Sequence, residues 1–398
     1  MAPKDICLIC KSPTTLTEVR FRDFDGSIFN VNALARMCLK CTHTTVDSSL
    51  DDDTIVEHYK NFSLYSTQSG VGVGGESVED LARYSFYSDL LNRSDKDSWS
   101  SPLKVVDVGC ARGGFLKYLA KNHPSVIPIG VDVDDACLSH LRDSDIEALT
   151  GSALDLPIAS ESTHVLSYLH VFEHINDLWA VVSEAARVLL PGGRLLIEVP
   201  DCENYSSEKG WVGPMFWGAM KEHVHHFTSK SMTALLEQNG FKILLIERPF
   251  LPMKGGTHYP ALTLVAQKQE NASTKPLDLT STTNPFELYI SRENESMDKL
   301  EGVVLDFVNR KGPSAFWGVG LEFFALIAYS GKKLRPGVKA LIDNNSAKHG
   351  LTVDGLRITF PDELDRNTPL VICSYISKDP ILSHALQLGW SHENILCI

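Results

Sequence analysis

The sequence predicts an α/β protein in several parts, and three observations predict it. Strand and helix patterns alternate over residues 99–268, a polar stretch rich in Ser, Thr and Pro interrupts them at 269–285, and the alternation restarts over 286–398. Ahead of this, four cysteines fall within the first 41 residues as two CxxC pairs. A chain of 398 residues has room for two or three domains. Its 43% hydrophobic and 22% charged residues are the proportions of a globular protein that builds a core.

Composition also narrows the function classes. No run approaches the ~20 apolar residues of a membrane span. The opening MAPKDICLIC lacks the apolar centre of a signal peptide, so a cytoplasmic protein with no membrane partner is expected. A net charge of -13 argues against a nucleic-acid partner, which needs a basic face. A small anionic substrate needs only a local positive site and stays possible. Nothing in the sequence indicates an oligomeric state.

Residues 1–60 hold Cys7, Cys10, Cys38 and Cys41. In a cytosolic chain, two CxxC pairs favour a metal over disulfides. Four thiolates suit a tetrahedral structural zinc with no position left open for chemistry. The alternatives are four free thiols or a redox dithiol, but no thioredoxin-like βαβ pattern surrounds either pair.

Residues 61–98 read as a connector followed by a helix that forms a lid. Their glycine run, SGVGVGGES, lacks the Gly-Lys-Ser/Thr ending of a phosphate loop.

The strand KVVDVG opens the central part, and FLKYLAKN follows with helical spacing. Between them, Asp107, Gly109, Ala111 and Gly113 occupy strand–loop–helix positions. Small residues let such a loop pass close to a ligand, and the helix N-terminus offers free N–H groups. The next strand, VIPIGVDV, carries Asp132 near its end, where a carboxylate can accept both hydroxyls of a ribose. NAD is the competing ligand, but the glycines do not follow Gly-x-Gly-x-x-Gly. Further on, DLWAVVSEAARVLLPGG reads as a helix with Asp177 as N-cap and Gly192 as stop.

This stretch resembles the class I S-adenosylmethionine-dependent methyltransferases. Their Asp-x-Gly-x-Gly-x-Gly loop matches residues 107–113 except at Ala111, and their second-strand acid matches Asp132. The resemblance implies a Rossmann-like, seven-stranded methyltransferase domain over 99–268 with S-adenosyl-L-methionine as cofactor. It also implies cofactor contacts from Ser152, which stands where the family usually has Asp, from Ala153, and from His170 near the cofactor end of a strand.

A wider resemblance covers nearly the whole chain. Cysteine knuckles, the connector YKNFSLYS, the segment EHVHHFT and a C-terminal α/β part with LIDNNSAKHG are similar to sugar C-methyltransferases acting on nucleotide-linked 4-keto-deoxysugars. It implies that His223 removes a proton beside a ketone while Glu222 orients it or contacts the sugar, and that Tyr65 donates to the enolate oxygen. Histidine suits that base role near neutral pH. The family tyrosine two residues before the glutamate is Met220 here. His225 is expected to line the substrate site, and His226-Phe227 to pack at a helix entrance capped by Thr228 or Ser229. Metal ligation by His223, His225 and His226 together is disfavoured, since neighbours cannot easily aim at one point. Glu173-His174 carries a mainly structural reading.

The 269–285 linker leads to a second, smaller, Rossmann-like domain over 286–398. Gly318, Gly320 and Lys348 are its expected contacts to the diphosphate of a nucleotide sugar. A full dinucleotide site is disfavoured because Phe323 or Phe324 stands at a third glycine position. A purely structural partner domain is the bland alternative. For the whole chain, the alternatives are O- or N-methylation of another small molecule, or a non-catalytic methyltransferase-like binding protein.

Overall fold

The computed structural model describes residues 6–47, 49–62, 74–95, 102–253, 256–269 and 283–398. The connector tyrosine Tyr65 and the body of the 269–285 linker lie outside them. Among the described residues no helix is long and apolar enough to cross a membrane.

The N-terminal part forms three antiparallel strands, β1 (Thr14–Arg20), β2 (Asn32–Cys38) and β3 (Thr44–Asp47). On β2, Ala33, Ala35 and Met37 are buried while Leu34 is exposed, the alternation of a sheet with one solvated face. A fourth strand comes from far along the chain: His225–His226, β9 in chain order, pairs with β3 in the register Thr44↔His226 and Thr45↔His225. The buried face of this sheet packs in one apolar cluster with Tyr205, Trp217 and Ala261 of the central part.

Two helices follow, α1 (Asp52–Phe62) and α2 (Val78–Ser94). A capping box between Ser77 and Asp80 starts α2, satisfying N–H groups the first turn leaves open.

The central sheet is built from β4 (Leu103–Val108), β5 (Val126–Asp132), β6 (Glu147–Thr150), β7 (Thr163–Leu169), β8 (Leu189–Pro200), β10 (Phe241–Glu247) and β12 (His258–Lys268). A short β11 (Phe250–Pro252) pairs with β12. The strand order is β10-β12-β8-β7-β4-β5-β6. The pairs among β4 to β8 are parallel, and only β12 runs antiparallel to its neighbours. Helices α3 (Gly114–Asn122), α4 (Asp135–Arg142), α5 (Leu178–Val188) and α6 (Ser229–Glu237) connect the strands. The chain runs outward from β4 to β5 and β6 and then returns to β7 on the other side of β4, so the C-terminal ends of β4 and β7 flank the crevice where doubly wound sheets take ligands.

Asp177 caps α5 through Trp179 and Ala180 N–H. The helix stops at Val188, however, not at Gly192; Leu189 is already extended and begins β8. The reason is Pro191, which disfavours helical conformation in the residue before it, while Leu189 pairs with Thr163 at the sheet end. Thr228 caps α6 by a reciprocal bond with Ser231.

The C-terminal sheet has the order β15-β16-β14-β13-β17-β18, from β13 (Ser314–Trp317), β14 (Val338–Ile342), β15 (Thr352–Val353), β16 (Leu356–Thr359), β17 (Leu370–Ile372) and β18 (Ile395–Cys397). It carries α8 (Leu321–Ser330) and α9 (Lys378–Gln387). Its first strand, β13, lies between β14 and β17, the doubly wound arrangement.

One 27-residue helix, α7 (Pro285–Lys311), belongs to both halves. Phe286, Tyr289 and Ile290 near its start are buried against Trp217, whereas Met297, Val304 and Phe307 belong to the C-terminal core. At about 1.5 Å per residue it spans roughly 40 Å. The N-terminal part also touches the C-terminal domain: Asp25 accepts from Asp354 and Gly355 N–H at 2.9 Å each, and Phe24 meets Phe324 edge to face.

Candidate functional site

The loop after β4 is shaped by three positive-φ residues, Gly109, Ala111 and Gly113. A Cβ at Gly109 would strike Val171, and one at Gly113 would strike Leu141. Ala111 holds φ 47, a region L-residues avoid at a cost of about 1–2 kcal/mol. Its N–H donates to Asp132 Oδ2 at 2.8 Å, while Asp134 N–H donates to Oδ1 at 2.9 Å. A carboxylate has about four lone-pair sites, so Asp132 keeps acceptors for two hydroxyls. Burial raises its pKa.

A cavity of about 370 Å³ opens at these strand ends. Gly109, Ala111, Asp132, Ser152, Ala153 and His170 all line it, and so does His223. This volume falls within the range of small-molecule sites. Asp107 lies in an adjoining small recess with Gly74, Arg83 and Tyr84. Burial pushes its carboxyl up to about 7, against a 2.6 Å hydrogen bond from Ser167 Oγ. Gly113 lies behind the loop, packed on Leu141, and lines neither space. Ser152 Oγ is turned inward to accept from Leu154 N–H at 3.2 Å, so its hydroxyl serves its own turn.

His170 lines the wall but is held from both sides. Nδ1 donates to Glu173 Oε1 at 3.1 Å, and Nε2 lies 3.0 Å from Glu198 Oε1. Burial alone would depress its pKa, yet the two carboxylates outweigh burial and raise it. Glu198 is fully buried and also accepts from Arg83, Tyr87 and Thr263. Burial would raise its pKa; His170 and Arg83 instead bring it to about 2. Tyr259 completes the network, its hydroxyl oxygen 2.9 Å from His170 Nδ1.

His223 is 6% exposed, and its Nδ1 has no hydrogen-bond partner among the described residues. Burial, with His174, His226 and His170 nearby, pushes its pKa well below the ordinary imidazole value. Glu222 does not line the cavity; its backbone carbonyl accepts from His174 Nδ1 at 3.0 Å.

His225 does not line the cavity, contrary to expectation. Strand pairing with β3 turns its ring toward the N-terminal sheet, where Nδ1 lies 3.1 Å from His43 Nε2. Successive strand residues point to opposite faces, and His226 meets Phe286 in a 4.2 Å stack instead.

The C-terminal residues Gly318, Gly320 and Lys348 are also not brought to the cavity. Lys348 Nζ donates to Val319 O and Asp343 Oδ2, both at 2.9 Å, and so closes its own loop. Gly318 at φ 97 lets the chain pass Cys373 O, which a Cβ would approach to 2.8 Å. These are structural duties, and they occupy the ammonium expected to meet a diphosphate.

Several wall residues carried no clear signal in the sequence. Ile55 and Val56 of α1, Phe216, Met253 and Tyr259 come from four separate segments. Glu173 and His174 also face the cavity, although their place after β7 reads as structural.

At the N-terminus, Cys7 and Cys41 Sγ are 3.4 Å apart, Cys10 and Cys38 Sγ are 3.5 Å apart, and all four lie within 4.8 Å. A tetrahedral zinc with bonds of about 2.3 Å would set its sulfurs roughly 3.8 Å apart, so the residues fit that ion. The residue after each pair, Lys11 or Thr42, has positive φ, which turns the chain back. Cys38 Sγ accepts from Lys40 and Cys41 N–H at 3.3 and 3.4 Å.

Known proteins resemble the central part of the chain. Residues 80–246 match the family described as Methyltransferase domain. Over 141 residues the chain is 30% identical to a probable S-adenosylmethionine-dependent methyltransferase of Mycolicibacterium smegmatis, covering 35% of this chain and 52% of that one. It is 26% identical over 178 residues to a fatty-acid O-methyltransferase of the same organism, covering 41% and 59%. The chain thus spans about half the length of the curated relatives it matches. A solved SAM-dependent methyltransferase of Methanosarcina mazei aligns over 43% of this chain and 94% of its own, at 18% identity and TM-score 0.36. The family match and these relatives fall on the central region, which is similar to S-adenosylmethionine-dependent methyltransferases. The loop and the Asp132 carboxylate fit a nucleoside.

Proposed function

We propose that this protein methylates the carbon beside a ketone in a nucleotide-linked keto-deoxysugar, with His223 as the base. The observation that carries this reading is the buried Nδ1 of His223 on the cavity wall, which has no hydrogen-bond partner among the described residues. A neutral imidazole has a lone pair to receive a proton, and burial keeps His223 neutral. When bound, S-adenosylmethionine supplies a methyl group already activated for in-line displacement. His223 would receive the acceptor's α-proton, and the enolate carbon so formed would be the nucleophile for that methyl group, whose bonding pair would stay on the departing sulfur.

The enolate oxygen needs donors aimed at it. Tyr259 is placed to serve. Its oxygen faces the Nδ1–H of His170, whose pKa is raised, so its own O–H is directed away from that ring. Tyr65 is a second donor on the strength of the family resemblance. Glu222 acts through its carbonyl, which holds His174 beside the base. The four cysteines hold a structural zinc that fixes the N-terminal turns.

The deciding experiment uses isotopically labelled S-adenosylmethionine with a panel of nucleotide 4-keto sugars. The product should carry the new methyl on carbon. His223→Gln should lose turnover and α-proton exchange with solvent while binding the cofactor with unchanged affinity. Near-normal turnover by that variant rejects His223 as the base.

O-methylation of an apolar acceptor is the second reading. Phe216, Met220 and Met253 on the wall favour it, as does the fatty-acid O-methyltransferase relative. It predicts methylation of a hydroxyl or carboxyl acceptor with no α-proton exchange.

A further inference from the structure

We propose that Glu173, His174 and His223 form a second metal site, separate from the four cysteines, that takes a divalent transition ion of the zinc class. One ligand atom from each residue lies within 4.8 Å of the others. Glu173 is fully buried, and its Oε2 has no hydrogen-bond partner among the described residues. The Nδ1 of His223 is in the same condition. An orphaned buried acceptor costs about 1–3 kcal/mol, and more when charged. Two such atoms facing one cavity are offset together by a single cation.

The surroundings are those of a built site. His170 Nδ1 donates to Glu173 Oε1, which leaves Oε2 as the carboxylate oxygen without a partner among the described residues. The Glu222 carbonyl can only accept, so His174 Nδ1 carries the proton and Nε2 carries the lone pair. Ligating histidines commonly hold their second nitrogen in this way, and ligating carboxylates are themselves hydrogen-bonded. Two imidazoles and one carboxylate suit zinc, cobalt or iron(II), whereas magnesium and calcium prefer oxygen alone. Three protein ligands leave a coordination position open toward the cavity.

The consequence for turnover rests on the reading of His223 as the base. A metal takes the lone pair that would accept the proton, so occupancy and proton abstraction exclude one another. Excess zinc should then arrest methyl transfer, and a chelator should restore it.

The test is the metal content of the full chain, equilibrated with micromolar free zinc and separated from unbound ion. Glu173→Gln and His174→Gln should each hold one zinc fewer than the unaltered protein. Equal zinc content in a folded variant overturns the proposal. Should both variants fail to fold, the cobalt form of the unaltered protein decides. Visible bands of nitrogen and oxygen ligation should appear beside the sulfur-to-cobalt charge transfer of the cysteines. A spectrum of purely thiolate character overturns the site. The two readings fail separately: an active His223→Gln removes the base but leaves the zinc count standing, and an unchanged zinc count removes the site but leaves the base.

Discussion

Asn284 donates its side-chain amide to the backbone carbonyl of Cys38, 3.1 Å away and 246 residues earlier in the chain. The same amide lies 3.2 Å from Thr42 O, while Asn284 Oδ1 accepts from Phe286 N–H and caps α7. A residue that reads as linker is thus fully buried and ties the cysteine knuckle to the helix shared by both α/β domains.

Asn284→Ala should therefore destabilise the protein by about 3 kcal/mol. The lost cap contributes about 1, and the buried carbonyls left without a donor supply the rest. Urea unfolding followed by far-UV circular dichroism measures this. A change within about 0.5 kcal/mol would mean the link is dispensable.

Arg83 and Glu198 form an ion pair at 3.0 Å, with side chains 7% and 0% exposed. Breaking a buried pair leaves an uncompensated charge, at about 3–5 kcal/mol. Arg83→Met should lose stability of that order. The Glu198 carboxylate is depressed to about 2, so its contribution is present above its unfolded value and vanishes as pH falls through about 2. The penalty of Arg83→Met should accordingly shrink in acid, as unfolding free energies at pH 7 and pH 3 would reveal.

Ala111→Gly should be tolerated, because glycine adopts positive φ without the steric cost that alanine bears at φ 47. A gain of roughly 1 kcal/mol is expected, with cofactor affinity kept within a few-fold. Gly113→Ala should do the reverse: its Cβ meets the buried Leu141 side chain from a positive-φ position. Overpacking costs about 1–3 kcal/mol, and the loop shift should weaken S-adenosylmethionine binding by calorimetry. Equal affinity in both variants would show that the loop is not set by these contacts.

Asp107 provides a pH signature in the absence of cofactor. Burial raises its folded pKa to about 7, above the unfolded value of about 3.9. A raised pKa contributes stability that is complete below the unfolded value and is lost as pH climbs through the folded one. Asp107→Asn lacks this titration. Its stability relative to the unaltered protein should therefore rise between about pH 4 and pH 7 and level off above. A constant difference across that window would place Asp107 in contact with water.

Much of the central domain is legible from local pattern. The Asp107–Gly113 loop, the Asp132 carboxylate and the caps Asp177 and Thr228 depend on residues within a turn or one strand–helix unit of each other, so spacing alone describes them. The limit of α5 was misread because helical periodicity through Val188 continues into Leu189 and Leu190, and only the sheet claims those residues. Met220 and Tyr259 illustrate another limit. The first stands where a family tyrosine is expected, and the second brings a hydroxyl to the same wall from 39 positions away.

By itself the sequence determined the alternating α/β class, the nucleoside-type loop with its paired acid, and the grouping of four cysteines, because each is a short-range arrangement of residue types. The tertiary structure alone decided the fates of the histidines and of Lys348. Pairing with β3 sends His225 to the N-terminal sheet, while His223, two residues earlier, stays on the cavity wall with an Nδ1 that has no partner among the described residues. Asp343 and Val319 take up the Lys348 ammonium. Which groups are left unpartnered depends on residues far apart in the chain, and only packing brings those together.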